Sequence, residues 1–95
     1  VPAAAHPRLS VAPNPFNPST TIRYSLTRAG YVDLAVYDLA GRRIRTLEAR
    51  TLSGGPHTAV WDGRDERGQG VPSGIYFSRL VAEGQVLTRK MTLLK

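Results

Sequence analysis

The sequence predicts an all-β domain, a sandwich of about seven antiparallel strands. Apolar and polar residues alternate with a period of two over most of the chain, as in strands with one buried face. Turn-forming residues separate the alternating segments at spacings of roughly 8–12 residues, which is typical of a β-sandwich. No window has a helical period bounded by capping residues. A chain of 95 residues forms one domain at most.

The alternation assigns an inner face to each strand. We predict strands at residues 9–11, 20–26, 31–37, about 42–50, 57–61, 75–82 and 86–94. The fourth of these departs from the alternation, because Ile44 and Leu47 are three positions apart, so we expect a β-bulge or a sheet edge there. The residues expected to face the core are Ile22, Tyr24, Leu26, Val32, Leu34, Val36, His57, Ala59, Trp61, Tyr76, Ser78, Leu80, Ala82, Leu87, Met91 and Leu93.

Gly, Pro, Asp and Asn mark the connections between strands. Asp38 and Gly41 bound the turn "DLAG", because Asp bonds to nearby backbone and Gly tolerates a positive φ. The longest connection, residues 62–74, directly follows the single tryptophan, Trp61. A buried indole N–H or phenol O–H needs a hydrogen-bond partner. We therefore expect Trp61 and Tyr76 to find polar partners near the core.

A proline-rich segment precedes the first long strand. Pro13, Asn14, Pro15 and Phe16 include no acid, base or metal ligand, so we predict that the segment is a structural brace. Its prolines restrict the backbone, its asparagines can close turns, and Phe16 can plug the end of the sandwich. We place the domain boundary here. Residues 1–12 are predicted to be a linker or an N-terminal strap, and residues 13–95 the sandwich.

The formal net charge of +6 comes almost entirely from arginine, since Lys90 and Lys95 are the only lysines. The arginines are scattered along the chain, and no interleaved aromatic residues mark a platform for single-stranded nucleic acid. We therefore expect a solvated basic surface and no nucleic-acid partner. No apolar run approaches the ~20 residues of a membrane-spanning helix. The absence of cysteine excludes disulfides and thiolate metal sites.

No group of titratable residues has the spacing of an active site. His6 and His57 form no metal-binding pair, and no serine stands in a Gly-x-Ser-x-Gly motif. We therefore expect no enzymatic activity and no cofactor.

The loop after Trp61 carries a weak candidate for a calcium site, formed by Asp62, Asp65 and Glu66. Carboxylates suit calcium, but their spacing differs from the EF-hand pattern and arginines adjoin them. The alternative is a turn held by the Asp62 side chain and Gly63.

Four segments carry a family resemblance: "PNPFNPSTTIRYSL", "VDLAVYDLAGRRIRTL", "GGPHTAVWDGRDERGQGVPSGIYFSRL" and "TRKMTLLK". In these segments, and in their order, the chain resembles the C-terminal sorting domains of the type IX secretion system. It also resembles the closely similar immunoglobulin-like domain of flagellar hook-capping proteins, and its long Trp-Asp-Gly loop is nearer to that version than to the shortest sorting domains. The resemblance runs from residue 12 to residue 95 and implies an immunoglobulin-like β-sandwich. It also implies that Gly74 and Tyr76 open the penultimate strand and that residues 90–95 are the tail that secretion machinery recognises.

The last strand offers a physical reason for recognition. The side chains of Thr88, Lys90 and Thr92 are expected to point outward, and an exposed edge strand is a template for pairing with another chain. Three exposed aromatic side chains, Tyr31, Tyr37 and Phe77, suggest an apolar patch as a further hypothesis.

Two functional hypotheses follow. The first is a non-catalytic sorting or anchoring module of a larger secreted bacterial protein, located at the cell surface and bound by secretion or attachment machinery. The alternative is a structural subunit that assembles into an extracellular fibre, sheath or appendage, with neighbouring subunits as its partners in a homo-polymer.

Overall fold

Within residues 6–95, the part of the chain that the computed structural model describes, seven strands form two antiparallel sheets. The strands are β1 (Arg8–Ala12), β2 (Thr20–Leu26), β3 (Gly30–Asp38), β4 (Arg43–Leu52), β5 (Gly55–Trp61), β6 (Gly74–Ala82) and β7 (Gln85–Leu93). The three-stranded sheet has the order β1-β2-β5, and the four-stranded sheet has the order β4-β3-β6-β7. The predicted all-β sandwich is confirmed. Among these residues there is no helix with the length and apolar character needed to span a bilayer.

Most of the core consists of side chains that the period-two alternation places inward, and Leu9 of β1 and Val71 of the long loop also belong to it. Phe16 is also buried, with 3% of its surface exposed, and it packs at one end of the sandwich as predicted. His57, Ala59 and Leu87 are half-buried. The predicted inner residues that are buried are Ile22, Tyr24, Leu26, Val32, Leu34, Val36, Trp61, Tyr76, Ser78, Leu80, Ala82, Met91 and Leu93.

Strand β4 is both bulged and at a sheet edge, which confirms the expectation drawn from its broken periodicity. The register against β3 shifts at two points, which leave Ile44 and Leu47 without a direct partner. Both side chains are partly buried and pack against the core. Two bulges therefore turn residues that are three positions apart toward the same side of the sheet.

The domain boundary predicted at Pro13 needs a correction, because Arg8–Ala12 is a strand of the three-stranded sheet and pairs with β2 along its length. Leu9 is 3% exposed and belongs to the core. In the rest of the predicted linker or strap, Pro7 is fully buried and residues 1–5 lie outside the described residues.

Arg89 joins β1 to β7 across the open side of the sandwich. Arg89 is two positions from both Leu87 and Met91 in β7, so its side chain leaves the backbone on the same, inner face of the sheet. The residue is nevertheless exposed. Its Nε donates a hydrogen bond to the carbonyl oxygen of Leu9 at 2.9 Å. The guanidinium thus links the edge strands of the two sheets.

Candidate functional site

The proline-rich segment lies along the outer edge of β7. Asn14 Nδ2 donates to the carbonyl of Lys90, and the amide of Thr92 donates to Asn14 Oδ1, both at 2.9 Å. The amide of Phe16 then donates to the Thr92 carbonyl, and the amide of Leu94 donates to the Phe16 carbonyl, both at 3.0 Å. The predicted brace is therefore a short partner strand for the second half of β7.

This pairing corrects the prediction that the last strand is an open template. β7 is an edge strand, but its backbone from Lys90 to Leu94 is already bonded to Asn14 and Phe16. Addition of a partner strand to that half would require displacement of the brace. The side chains of this half remain accessible without displacement of the brace only where they are exposed, as at Lys90.

The predicted recognition residues are in different environments. Thr88, Lys90 and Lys95 are exposed, whereas Thr92 is half-buried. The amide of Lys95 donates to Ser73 Oγ at 2.9 Å, which ties the last residue to the loop before β6. Within residues 6–95, neither lysine has a carboxylate at ion-pairing distance. Both ammonium groups can therefore contact a partner.

Gly74 contributes to strand pairing and Tyr76 to the core. Strand β6 begins at Gly74, as the resemblance implied, and Gly74 pairs with Leu93. Tyr76 is 6% exposed, so its side chain offers almost no surface to a partner.

Three aromatic rings hold the two ends of the long loop between β5 and β6. The ring centroids of Phe16 and Trp61 are 5.5 Å apart, and those of Trp61 and Tyr76 are 5.1 Å apart in an edge-to-face arrangement. Trp61 Nε1 donates to the carbonyl of Arg64 at 2.9 Å, and the Tyr76 hydroxyl donates to the carbonyl of Pro72 at 2.7 Å. Burial raises the pKa of Tyr76, and the nearby Asp38 carboxylate adds to that rise. The core thus holds the loop at both ends.

Gly63 occupies a position that disfavours any residue with a Cβ. Its φ is +76°, and a Cβ there would lie 3.1 Å from the carbonyl oxygen of Pro18. Its own carbonyl accepts a hydrogen bond from the amide of Val71 at 2.9 Å. The neighbouring Asp62 accepts from the amide of Arg64 at 3.2 Å. The turn held by Asp62 and Gly63, predicted as the alternative to calcium, is present.

Each of the three carboxylates of the calcium candidate is engaged separately. Asp62 lies 3.4 Å from an Arg45 guanidinium nitrogen, and Asp65 Oδ1 accepts from two amides of its own turn at 2.9 and 3.0 Å. Glu66 accepts from the amide of Thr46 on β4. In the described part of the chain, no three or more Asp, Glu, His or Cys side chains converge as metal ligands. These carboxylates cap backbone amides and dock the loop on β4.

The turn between β3 and β4 is closed by Asp38, as predicted. Its Oδ1 accepts from the amides of Ala40 and Arg42, both at 2.9 Å, and its backbone carbonyl accepts from the amide of Gly41 at 3.0 Å. Gly41 has a φ of +85°. The amide of Arg42 is the main reason that the pKa of Asp38 lies below its usual range.

A cleft of about 560 Å³ separates this turn from the long loop. Its acidic side chains are those that cap the turn, the loop and the β4 amide. The cleft is lined by Asp38, Arg42, Arg43, Ile44, Asp65, Glu66, Arg67, Gln69, Val71, Pro72 and Tyr76.

Sequence reasoning missed the pairing of Asn14 with β7 and the contacts of Ser73 and Arg89. Residues 14 and 90 are 76 positions apart, and a side chain that bonds to a distant backbone has no periodic signature. The one usable signal was the run of asparagines between prolines, since such residues bond to backbone groups outside regular structure.

Comparison with known proteins finds one matching family and several similar proteins. Residues 17–85 match the family described as the FlgD Ig-like domain. Over 48 residues the chain is 44% identical to the basal-body rod modification protein FlgD of Salmonella typhimurium, covering 50% of this chain and 21% of that protein. The chain thus spans about a fifth of the length of this relative.

Two solved structures share the fold. Dimeric latent PorU of Porphyromonas gingivalis superposes with a TM-score of 0.73 at 24% identity, over 93% of this chain and 9% of that one. PorZ, described as an essential surface component of the type IX secretion system of the same bacterium, superposes with a TM-score of 0.63 at 17% identity. That match covers 92% of this chain and 11% of PorZ. At these identities the likeness is one of fold.

Proposed function

Because the chain belongs to the family of FlgD Ig-like domains, we propose that it is a non-catalytic immunoglobulin-like module of a secreted bacterial protein, bound at the cell surface by export or attachment machinery. The fold shared with PorZ, a surface component of the type IX secretion system, supports this proposal. The partners are proteins, and the location is outside the cell.

The observation that carries the proposal is the way the terminal segment, residues 90–95, is held. Its backbone is bonded to Asn14, Phe16 and Ser73, while Lys90 and Lys95 keep their side chains exposed. Leu94 is also 51% exposed. A segment that is already ordered loses little conformational entropy when it binds. A receptor can therefore bind the side chains of Lys90, Leu94 and Lys95 with a small entropic penalty.

An export assay tests this function. A reporter with a signal peptide is fused ahead of residues 1–95 and produced in a bacterium with a type IX secretion system. We expect the reporter in the medium or on the cell surface, and in the periplasm of a strain that lacks the system. In the double variant Lys90→Glu with Lys95→Glu, we expect export to fall about tenfold or more, which corresponds to a loss of about 1.4 kcal/mol in binding.

The matched control is the double variant Arg8→Glu with Arg23→Glu. These arginines are exposed on the three-stranded sheet, so the variant makes the same change of charge on a different surface. Export by the control should equal that of the parent. Equal export by both double variants, or export without the secretion system, would contradict the proposed function.

The family match supports one alternative, a structural subunit of an extracellular appendage. The relative that is 44% identical is named as a basal-body rod modification protein. Sedimentation velocity and electron microscopy of the isolated chain separate the two proposals. A sorting module stays a monomer, whereas a fibre subunit forms polymers whose length grows with concentration.

A further inference from the structure

The outer face of the four-stranded sheet carries a row of four side chains that crosses every strand. Arg43 on β4 pairs with Tyr37 on β3, Tyr37 with Phe77 on β6, and Phe77 with Lys90 on β7. Partners in register lie on the same face of a sheet. Two aromatic rings are therefore flanked by a cation at each end, and with Arg79 of the adjacent row these residues form what we name the basic–aromatic face.

Two guanidinium groups lie over the Tyr37 ring. Their Cζ atoms are 5.3 Å from the ring centroid for Arg43 and 5.6 Å for Arg79. Arg43 is also bonded to both carboxylate oxygens of Asp33, at 3.2 Å each, and this hydrogen-bonded pairing raises the pKa of Arg43. Arg79 has no carboxylate at ion-pairing distance among residues 6–95. Arg79 therefore lies over the Tyr37 ring and Lys90 is paired in register with Phe77, and among residues 6–95 no carboxylate neutralises the charge of either.

Exposed apolar side chains surround these cations. By the alternation of β3, β6 and β7, the outer face also presents Tyr31, Ile75, Val81 and Val86, which are 62%, 36%, 38% and 55% exposed. On the other sheet, within the described residues, Val60 is the one large apolar side chain of comparable exposure. Apolar surface and excess positive charge are therefore concentrated on a single face, which is the composition of a protein-binding surface.

We propose that the basic–aromatic face binds an acidic segment of a protein partner. Carboxylates of that segment pair with Arg79 and Lys90, and its apolar side chains pack on Phe77 and Val81. This surface carries three cations, Arg43, Arg79 and Lys90, and one carboxylate, Asp33. Its net charge is positive, so an acidic partner is electrostatically complementary. A sugar or nucleobase fits less well, because the guanidiniums of Arg43 and Arg79 occupy the positions over Tyr37 that stacking would require.

This inference goes beyond the proposed export function and does not depend on it. The face would bind an acidic segment whether the chain is a sorting module or an appendage subunit. Lys90 lies at the border of the face and of the terminal segment, so the test below leaves it unchanged.

The test is a titration of the isotope-labelled chain, followed by amide chemical shifts, with a synthetic peptide of alternating Glu with Val and Tyr. The control peptide carries Gln in place of every Glu. We expect shifts clustered on the outer-face residues of β3, β6 and β7 with the acidic peptide only. In Arg79→Glu the affinity should fall about tenfold or more. In Arg23→Glu, an equal charge change at an exposed position of β2, it should fall less than about twofold.

Several outcomes would overturn the proposal. These are the absence of shifts at about 1 mM peptide, equal loss of affinity in the two variants, and shifts centred on the three-stranded sheet. The same outer-face shifts produced at lower concentration by an anionic polysaccharide or by vesicles of phosphatidylglycerol would assign the face to another kind of partner. If Arg79→Glu does not fold, Arg79→Gln replaces it with the same expected direction.

Discussion

The side chain of Asn14 is bonded to the backbone of Thr92 as a neighbouring strand would be. The Thr92 amide donates to Asn14 Oδ1 at 2.9 Å, and Asn14 Nδ2 donates to the carbonyl of Lys90 at 2.9 Å. An asparagine amide carries the same donor and acceptor as a peptide group. One side chain therefore closes part of a sheet edge that would otherwise be open to other chains.

Replacement of Asn14 should weaken and expose this edge. In Asn14→Ala two hydrogen bonds to β7 are lost, and we expect a decrease of about 1–2 kcal/mol in the free energy of unfolding. Urea denaturation measures the loss, and sedimentation measures any new self-association through β7. The control is Asn17→Ala, an exposed residue of the same segment with no side-chain hydrogen bond among residues 6–95. Equal stability of the two variants would contradict the assigned role.

The domain boundary can be tested by truncation. Removal of residues 1–12 deletes β1, with the buried Leu9 and the carbonyl that accepts from Arg89. Because Leu9 burial alone is worth about 1.5–3 kcal/mol, we expect residues 13–95 to lose at least about 3 kcal/mol of stability. If residues 13–95 unfold at the same urea concentration as the full chain, the module begins at Pro13 instead.

Two glycines with similar positive φ angles should respond differently to substitution. Gly63 and Gly68 have φ values of +76° and +80°, but a Cβ meets the Pro18 carbonyl only at Gly63. Gly68→Ala should therefore cost about 1–2 kcal/mol from the left-handed conformation alone. Gly63→Ala should cost at least about 1 kcal/mol more, because backbone must move. Thermal unfolding of both variants measures the difference, and equal losses would show that the close approach is unimportant.

The indole N–H of Trp61 should contribute to stability in addition to its ring. In Trp61→Phe the core loses volume, and the carbonyl of Arg64 loses its donor. We expect a loss of about 2–3 kcal/mol, measured by circular dichroism in urea. Tyr76→Phe is the matched comparison, because it removes only the hydroxyl bonded to Pro72 and should cost about 1 kcal/mol. A larger loss in Tyr76→Phe would reverse this ranking.

Stability should fall in acid partly through Glu83. Its carboxylate accepts from the hydroxyl and the amide of Thr27 and lies 3.5 Å from Arg28, and the Thr27 hydroxyl bond is the main cause of its lowered pKa. A carboxyl whose pKa is lower in the folded state stabilises that state above its unfolded pKa of about 4.3. This contribution is lost as the pH falls through the folded pKa.

We therefore expect Glu83→Gln to be less stable than the parent at pH 7, with the difference shrinking as the pH falls below about 4. Asp38→Asn should behave in the same way, since its pKa is also lowered. The two carboxyls lie at opposite ends of the β3–β6 ladder, so their effects should add. Urea midpoints from pH 7 to pH 2 measure this dependence. A constant difference across that range would contradict the assignment.

The sequence by itself determined the fold class, the inner face of each strand and the irregularity of β4. Strand β2 runs from Thr20 to Leu26 as predicted, and the out-of-phase Ile44 and Leu47 are the residues at the two bulges. These features were predictable because the burial of one strand face imposes a local period of two, and any departure from that period is visible in the sequence.

Only the tertiary structure decided which distant groups meet. The pairing of Asn14 with Thr92 and the row from Arg43 to Lys90 depend on the order of strands in the sheets and on their register. The prediction of an open edge at β7 was wrong for its second half, from Lys90 onward, for the same reason. Strand order and register follow from how the two sheets pack. A side chain that bonds to a strand edge in place of a neighbouring strand, as Asn14 does, produces no periodic pattern in its own segment of the sequence.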